Sequence, residues 1–181
     1  EALITHPLIR KVSLTGSTEV GRRAMELAAR DFKRVSLELG GKSPNIVFAD
    51  ADWLVAADAS PMSVFANTGQ DCCARSRMFI ERSIYDQFVD RFVAATKKLV
   101  VGDPTKAETQ LGPLVSANQR ATVEEYIADA RTRGSKFACG GGRPQPKGYY
   151  LEPTVLLDIG KSDRCWREEI FGPVVCLTPF D

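Results

Sequence analysis

The first part of the chain shows a strand, helix, strand pattern. Residues 11–15 and 34–39 alternate apolar and polar side chains, which predicts two β-strands. Between them, arginines fall on one side of a predicted helix that Ser17 or Thr18 can cap. Four apolar residues at helical spacing form the opposite, inward face of that helix: Val20, Ala24, Leu27 and Ala28.

The rest of the chain repeats this alternation of strands and helices. Further strands are predicted at 45–48, 78–80, 136–139 and 174–177, and residues 149–157 are predicted to be extended. Further helices are predicted at 52–59, 84–99 and 116–133. We expect Pro61 to bend or end the first of these helices and Ser83 to cap the second. Strands that alternate with helices, with no internal repeat, indicate an α/β fold, although the order of the strands stays open.

Composition and charge exclude several classes of protein. The 181 residues carry a formal net charge of +1, which provides no basic field for nucleic acid or an acidic membrane. No apolar run approaches the roughly 20 residues of a membrane helix, and the N-terminus has no signal-peptide pattern. The five cysteines are odd in number and scattered, and His6 is the only histidine, so neither a disulfide scaffold nor a metal site is expected. We expect a cytoplasmic protein with free thiols.

Two glycine-containing segments follow predicted strands. LTGSTEVG at 14–21 joins a strand to a capped helix, a geometry that can bind an anion, although the segment alone favours a serine-capped helix with nothing bound. SLELGGKSP at 36–44 contains GGKS, but Ser36 stands where a phosphate-binding loop needs glycine. Glu38 in that segment could act as a general base, or it could be a surface carboxylate on an alternating strand.

A polar loop carries two adjacent cysteines. The segment NTGQDCCARSR at 67–77 contains Cys72 and Cys73. A cysteine hydrolase would need a histidine within reach, and His6 alone makes that class improbable. The alternatives are a catalytic thiol of another kind or two small apolar fillers.

A fourth segment carries two acidic residues before a turn. In REEIFGPVV at 167–175, Glu168 and Glu169 could accept hydrogen bonds from sugar hydroxyls, or they could belong to a charged turn before a buried strand.

Taken together and in this order, these segments resemble the aldehyde dehydrogenase superfamily. The matching stretches are LTGST at 14–18, ELGGKSP at 38–44, GQDCCARSR at 69–77, LGP at 111–113, GYYLEPTV at 148–155 and EEIFGPV at 168–174. They span nearly the whole chain, and ELGGKSP and EEIFGPV are highly specific. Leu14 departs from the usual phenylalanine, but both residues are bulky and apolar.

The resemblance implies roles for individual residues. Cys72, two residues after the glutamine of GQDC, matches the nucleophile, with Cys73 as its neighbour, and Glu38 of ELGGK matches the general base. The residues that match the cofactor contacts are Thr15, Gly16, Ser17, Leu39, Glu169 and Phe171. The implied cofactor is NAD or NADP.

The resemblance also implies a reaction and an architecture. The thiol of Cys72 adds to an aldehyde, hydride transfer leaves a thioester, and water activated by Glu38 releases the acid. Residues 1–40 match the end of a Rossmann-like cofactor domain, and 41–181 match most of the α/β catalytic domain. The family's subunits are longer and form homodimers or homotetramers, so we expect this chain to be an internal fragment that is inactive alone.

Alternative functions follow from the same residues. A coenzyme A-acylating relative would lack Glu38, whose presence favours hydrolysis. A non-catalytic relative with the same fold would lose Cys72 or Glu38, and neither is lost. An isolated catalytic domain could also serve as an oligomerisation or regulatory module. Asp71, next to the nucleophile, either lines the aldehyde tunnel and favours a cationic aminoaldehyde or betaine aldehyde, or caps a turn.

Overall fold

The computed structural model describes residues 1–181, which divide into two compact units, Glu1–Gly41 and Lys42–Asp181. The α/β class predicted from the alternation of strands and helices is confirmed. No helix is both long and apolar enough to cross a bilayer.

The smaller unit is a strand, helix, strand arrangement preceded by a short helix. Its elements in chain order are α1 (Ala2–Thr5), β1 (Lys11–Thr15), α2 (Thr18–Ala29) and β2 (Arg34–Glu38). Strands β1 and β2 are parallel and in register from Lys11 opposite Arg34 to Thr15 opposite Glu38. Their carboxyl ends therefore lie at one edge.

Helix α2 buries a narrower face than the apolar pattern predicts. Ala24, Leu27 and Ala28 are buried as expected, but Val20 is 52% exposed, and Gly21 occupies the buried position instead. The reason is steric: a Cβ on Gly21 would lie 2.5 Å from a methyl carbon of Leu39, so only glycine allows the helix to approach this side chain.

The larger unit is a five-stranded sheet with helices on both faces. Its strands are β3 (Pro44–Val47), β4 (Arg77–Glu81), β5 (Lys136–Cys139), β6 (Thr154–Leu157) and β7 (Val174–Phe180). They lie in the order β3, β4, β7, β6, β5, and only β5 is antiparallel to its neighbour. The helices are α3 (Trp53–Phe65), α4 (Tyr85–Thr96), α5 (Ala117–Thr132) and α6 (Arg164–Arg167), and 3₁₀ turns span Ala66–Gly69 and Arg82–Ile84.

Strand β7 shows how the sheet separates two cores. Val175 and Leu177 point to the core that includes the α3 and α4 residues Phe65 and Phe92. Val174 and Cys176 point to the other core, with the buried residues of α5 and α6. Alternate side chains of a strand face opposite sides, so a strand covered on both faces is apolar throughout, as β7 is at Val174–Leu177.

Two expectations about helix boundaries are wrong, that Pro61 could end α3 and that Ser83 caps α4. Helix α3 does not end near Pro61 but continues to Phe65, because Pro61, Val64 and Phe65 are all buried and their packing outweighs the hydrogen bond that proline cannot donate. Ser83 does not cap α4, because a 3₁₀ turn occupies residues 82–84 and the Ser83 hydroxyl donates to Glu81 Oε1 instead (2.9 Å).

Candidate active site

In the smaller unit, the residues predicted to contact a cofactor lie at the carboxyl edge of the parallel strands. Thr15 pairs with Glu38, and the Gly16 N–H donates to the Glu38 carbonyl oxygen (3.0 Å). Ser17 ends this turn and caps α2, its hydroxyl accepting from the Val20 N–H (3.2 Å). The unit thus brings Thr15, Gly16, Ser17 and Glu38 together.

This edge has the features of an anion site. The twelve-residue helix α2 begins at Thr18, and its N-terminal N–H groups carry the positive end of the helix dipole. A Cβ on Gly16 would meet only the Val20 side chain, at 3.8 Å, so the turn is open on that side. Ligands of α/β proteins bind outside the carboxyl ends of parallel strands, which is where these residues lie.

In the larger unit, Cys72 occupies a tight turn. The Ala74 N–H donates to the Asp71 carbonyl oxygen (3.1 Å), so Cys72 and Cys73 are the two central residues of a β-turn. The Asp71 carboxylate accepts from the Cys73 N–H (2.9 Å) and caps this turn. Cys72 is half-buried, and Asp71 and Cys73 are exposed.

The segment before this turn holds an unusual backbone conformation. Asn67, Thr68 and Gly69 have successive φ values of 51°, 58° and 70°. The left-handed region is costly for a β-branched residue such as threonine, and residues in such conformations concentrate at functional sites. Thr68 is held by a hydrogen bond from its buried hydroxyl to the Gly112 carbonyl oxygen (3.0 Å).

Close packing ties this segment to the FGP turn at 171–173. A Cβ on Gly69 would lie 2.2 Å from the Gly172 carbonyl oxygen, so the two backbones touch. Gly172 in turn packs on α5, where a Cβ would lie 2.4 Å from a methyl carbon of Val123. Residues 68–69, Gly112 and Gly172, far apart in sequence, therefore meet just before the cysteine turn.

Two glutamines fix this arrangement: Gln70, whose place in the GQDC motif served only to locate Cys72, and Gln119, which lies in none of the motifs. Gln70 accepts the Val115 N–H at its side-chain oxygen (2.9 Å). Gln119 on α5 donates to the carbonyl oxygens of Ile170 (3.2 Å) and Phe171 (2.8 Å). No sequence signal could reveal these bonds, because their partners lie about fifty residues away.

The two glutamates of the fourth segment have different surroundings. Glu168 accepts from the Tyr126 hydroxyl (2.8 Å) and from Arg164 (3.2 Å), and these bonds, led by that of Tyr126, hold the pKa of Glu168 below its usual value. Glu169 is half-buried, and Phe171, with φ 53°, is 39% exposed. The carboxylate of Glu168 is thus held by Tyr126 of α5 and Arg164 of α6.

The electrostatic setting of Cys72 does not activate its thiol. Its Sγ lies 3.9 Å from that of Cys73, and the hydrogen bond between the two groups raises the pKa of Cys72, with further contributions that include the negative charge of Asp71. The residues of this unit thus leave Cys72 as a thiol at neutral pH.

Lys42, within ELGGKSP, is another residue for which no role was predicted from the sequence. Its ammonium nitrogen is buried and makes no hydrogen bond, and burial lowers the pKa of Lys42. The lysine carbonyl oxygen accepts two N–H bonds from Arg77, at 3.1 and 2.6 Å, which anchors the strand that follows the cysteine turn.

Comparison with known proteins identifies relatives along the whole chain. The model of the aldehyde dehydrogenase family matches residues 1–181. An aldehyde dehydrogenase of Enchytraeus buchholzi is 47% identical over 99% of this chain and 36% of its own length. A betaine aldehyde dehydrogenase of Brucella ovis is 45% identical over 99% of this chain and 38% of its own length.

A solved structure gives the same result for the fold. A mutant aldehyde dehydrogenase of Pseudomonas syringae, solved with NAD⁺ and octanal, superimposes with a TM-score of 0.95 at 40% identity, over 99% of this chain and 38% of that one. The chain therefore spans little more than a third of the length of the relatives it matches.

Proposed function

Since the chain belongs to the aldehyde dehydrogenase family, we propose that it is part of a longer enzyme that oxidises an aldehyde to a carboxylic acid with NAD or NADP. The observation that carries the proposal is the Cys72 turn, which directly follows the strained segment 67–69, whose Gly69 packs against the FGP turn. Residues 1–40 belong in this proposal to the cofactor domain, and 41–181 to the catalytic domain.

The first half of the proposed reaction uses Cys72. Its thiol proton passes to solvent, its sulfur forms a bond to the aldehyde carbon, and the electron pair of the breaking carbonyl π-bond moves to oxygen, which gives a thiohemiacetal oxyanion. The backbone N–H of Cys72 can donate to this oxyanion. Bound NAD(P) supplies a hydride acceptor, so the carbon is oxidised by two electrons and becomes a thioester.

The second half uses Glu38. Its carboxylate takes a proton from water, the resulting hydroxide adds to the thioester carbon, and the carbon–sulfur bond breaks to release the acid and the Cys72 thiolate. Cysteine suits both halves, since its sulfur is a good nucleophile for the aldehyde carbon and a good leaving group from the thioester carbon. The presence of Glu38 supports hydrolysis over transfer of the acyl group to coenzyme A.

The smaller unit fits a dinucleotide. The open Gly16–Ser17 turn at the start of α2 suits a pyrophosphate, and Thr15 and the backbone of Leu39 lie at the same strand edge, where a nicotinamide would be held. From the larger unit, Glu169 would hold the nicotinamide ribose, with Phe171 beside it. This assignment rests on motif position.

A cationic aldehyde is the proposed substrate class. The exposed carboxylate of Asp71 has an oxygen within 4.8 Å of the Cys72 sulfur, so it would attract a positively charged aminoaldehyde or betaine aldehyde. The similarity to a betaine aldehyde dehydrogenase agrees with this choice. The capping bond to Cys73 leaves other lone pairs of the carboxylate to face a substrate.

The test is made on the full-length enzyme by following reduced nicotinamide. One aminoaldehyde and one neutral aldehyde are each tried with NAD and NADP, beside Cys72→Ala and, as a matched control, Cys139→Ala. We expect oxidation that is lost in Cys72→Ala and retained in Cys139→Ala. Cofactor binding without oxidation of any aldehyde would instead indicate a non-catalytic relative.

The substrate class has its own test. Asp71→Ala is expected to raise KM for the aminoaldehyde while leaving KM for the neutral aldehyde nearly unchanged. An unchanged preference between the two aldehydes would contradict the role of Asp71, while leaving the reaction itself intact.

A further inference from the structure

Three potential metal ligands lie together at the cysteine turn. The Sγ atoms of Cys72 and Cys73 and a carboxylate oxygen of Asp71 all lie within 4.8 Å of one another. None of these side chains is fully buried, so an ion could reach them from solvent.

The separation of the two sulfurs suits a tetrahedral thiophilic ion. With a zinc–sulfur bond of about 2.3 Å, tetrahedral geometry requires two sulfur ligands roughly 3.8 Å apart. The sulfurs of Cys72 and Cys73 are 3.9 Å apart in the protein. The turn therefore already has the spacing that two thiolates need to share one ion.

The backbone keeps the three ligands in this arrangement. The Ala74 and Cys73 N–H groups donate to Asp71 and close the turn. Gln70, the residue before the turn, accepts a hydrogen bond from the Val115 N–H at its side-chain oxygen. Asp71 uses one oxygen in the turn, and a carboxylate has lone pairs left for an ion. The turn backbone and the Asp71 carboxylate are therefore ordered before an ion binds.

We propose that Asp71, Cys72 and Cys73 form a binding site for a thiophilic divalent cation, Zn²⁺ or Cd²⁺, with water in the fourth position. Two thiol protons pass to the buffer as the two metal–sulfur bonds form, and no redox change occurs. The sequence predicted no metal site, because histidine is scarce and the cysteines are scattered; the proposal departs from that expectation because the turn brings two adjacent cysteines and a carboxylate within 4.8 Å of one another. Thiolate ligands select such ions over Mg²⁺.

The consequence for activity rests on the proposed function. An ion that holds the Cys72 sulfur removes the nucleophile, so the enzyme would be reversibly inhibited and a chelator would restore it. The binding itself does not depend on any reaction, and it is therefore measured separately.

Binding is tested on the full chain with Zn²⁺ against a competing chelating dye, and with Cd²⁺ by thiolate-to-metal ultraviolet absorption. We expect one ion per chain, release of two protons, and no response to Mg²⁺. Cys73→Ser should weaken Zn²⁺ binding about a hundredfold or more, since even the loss of an outer-shell partner costs about 10–100-fold. Asp71→Asn should weaken it less, and Cys139→Ser, which changes a half-buried thiol elsewhere, should leave it unchanged.

Equal Zn²⁺ affinity in the wild type and in Cys73→Ser would overturn the proposal. A loss of Zn²⁺ affinity in Cys139→Ser as large as that in Cys73→Ser would also overturn it. In the full-length enzyme, Zn²⁺ should inhibit aldehyde oxidation, and Cys73→Ser, which retains Cys72, should resist that inhibition. Metal binding in a protein that oxidises no aldehyde would refute the proposed function alone. Oxidation without metal binding would refute the metal site alone.

Discussion

Replacing Gly69 by alanine tests whether the cysteine turn depends on the contact that Gly69, just before it, makes with the FGP turn. The new Cβ would lie 2.2 Å from the Gly172 carbonyl oxygen, in a residue whose φ is 70°. An ordinary carbon–oxygen contact is about 3.3 Å, so one backbone must move by roughly 1.1 Å. The left-handed conformation adds about 1–2 kcal/mol, and the overpacking adds about 1–3 kcal/mol, a total loss of about 2–5 kcal/mol.

Gly134→Ala is the matched control. Gly134 has a φ of 81°, and nothing lies within 4 Å of its Cβ position, so alanine there incurs only the conformational cost of about 1–2 kcal/mol. Urea denaturation of both variants gives the difference in unfolding free energy that is due to the contact. In the full-length enzyme, a displacement of about 1 Å near the nucleophile should lower kcat about a hundredfold in Gly69→Ala alone. Equal destabilisation by both variants, with equal activity, would refute this reasoning.

Three further predictions concern stability. The pKa of Glu168 is lowered in the folded protein, so its stabilisation of the fold is present above the ordinary glutamate pKa of about 4.3 and is lost as pH falls through the pKa of the folded state. Glu168→Gln should therefore flatten the acid side of a plot of urea midpoint against pH, and an unchanged slope would contradict this. Burial raises the pKa of Tyr85 to about 12, and its hydroxyl donates to the Leu177 carbonyl oxygen, so the stability of the wild type should fall as pH rises from about 10 towards 12. Tyr85→Phe lacks this ionisable group and should lose less stability over the same range; parallel alkaline profiles would count against the assignment. Ser17→Ala should weaken α2 by about 1 kcal/mol, measured by hydrogen exchange, and Ser17→Asp should restore it; equal protection in all three proteins would show that the cap is unimportant.

The sequence predicted the elements of the fold better than their boundaries. Alternation identified β1 and β2, and helical spacing identified α2 and α5. These local patterns failed where packing overrides local preference. Helix α3 continues past Pro61 because the following residues are buried. On α2, Gly21 rather than Val20 faces inward because the Leu39 side chain needs the space.

The assembly of the site was beyond the sequence for a different reason. The roles proposed for Cys72 and Glu38 come from motifs that resemble a family, and they could be stated without a structure. The contacts that hold the cysteine turn join residues far apart along the chain, such as Thr68 to Gly112 and Gln119 to Phe171. Local pattern contains no information about such pairs, and strand order is equally non-local.

The most direct test of the proposed chemistry is to follow the acyl intermediate in a Glu38→Gln variant of the full-length enzyme. We expect a stoichiometric burst of reduced nicotinamide, a slow steady state, and a mass increase equal to the acyl group on the peptide that carries Cys72. Steady-state turnover at the wild-type rate with no adduct would contradict the role of Glu38, and an adduct on Cys73 would contradict the choice of nucleophile.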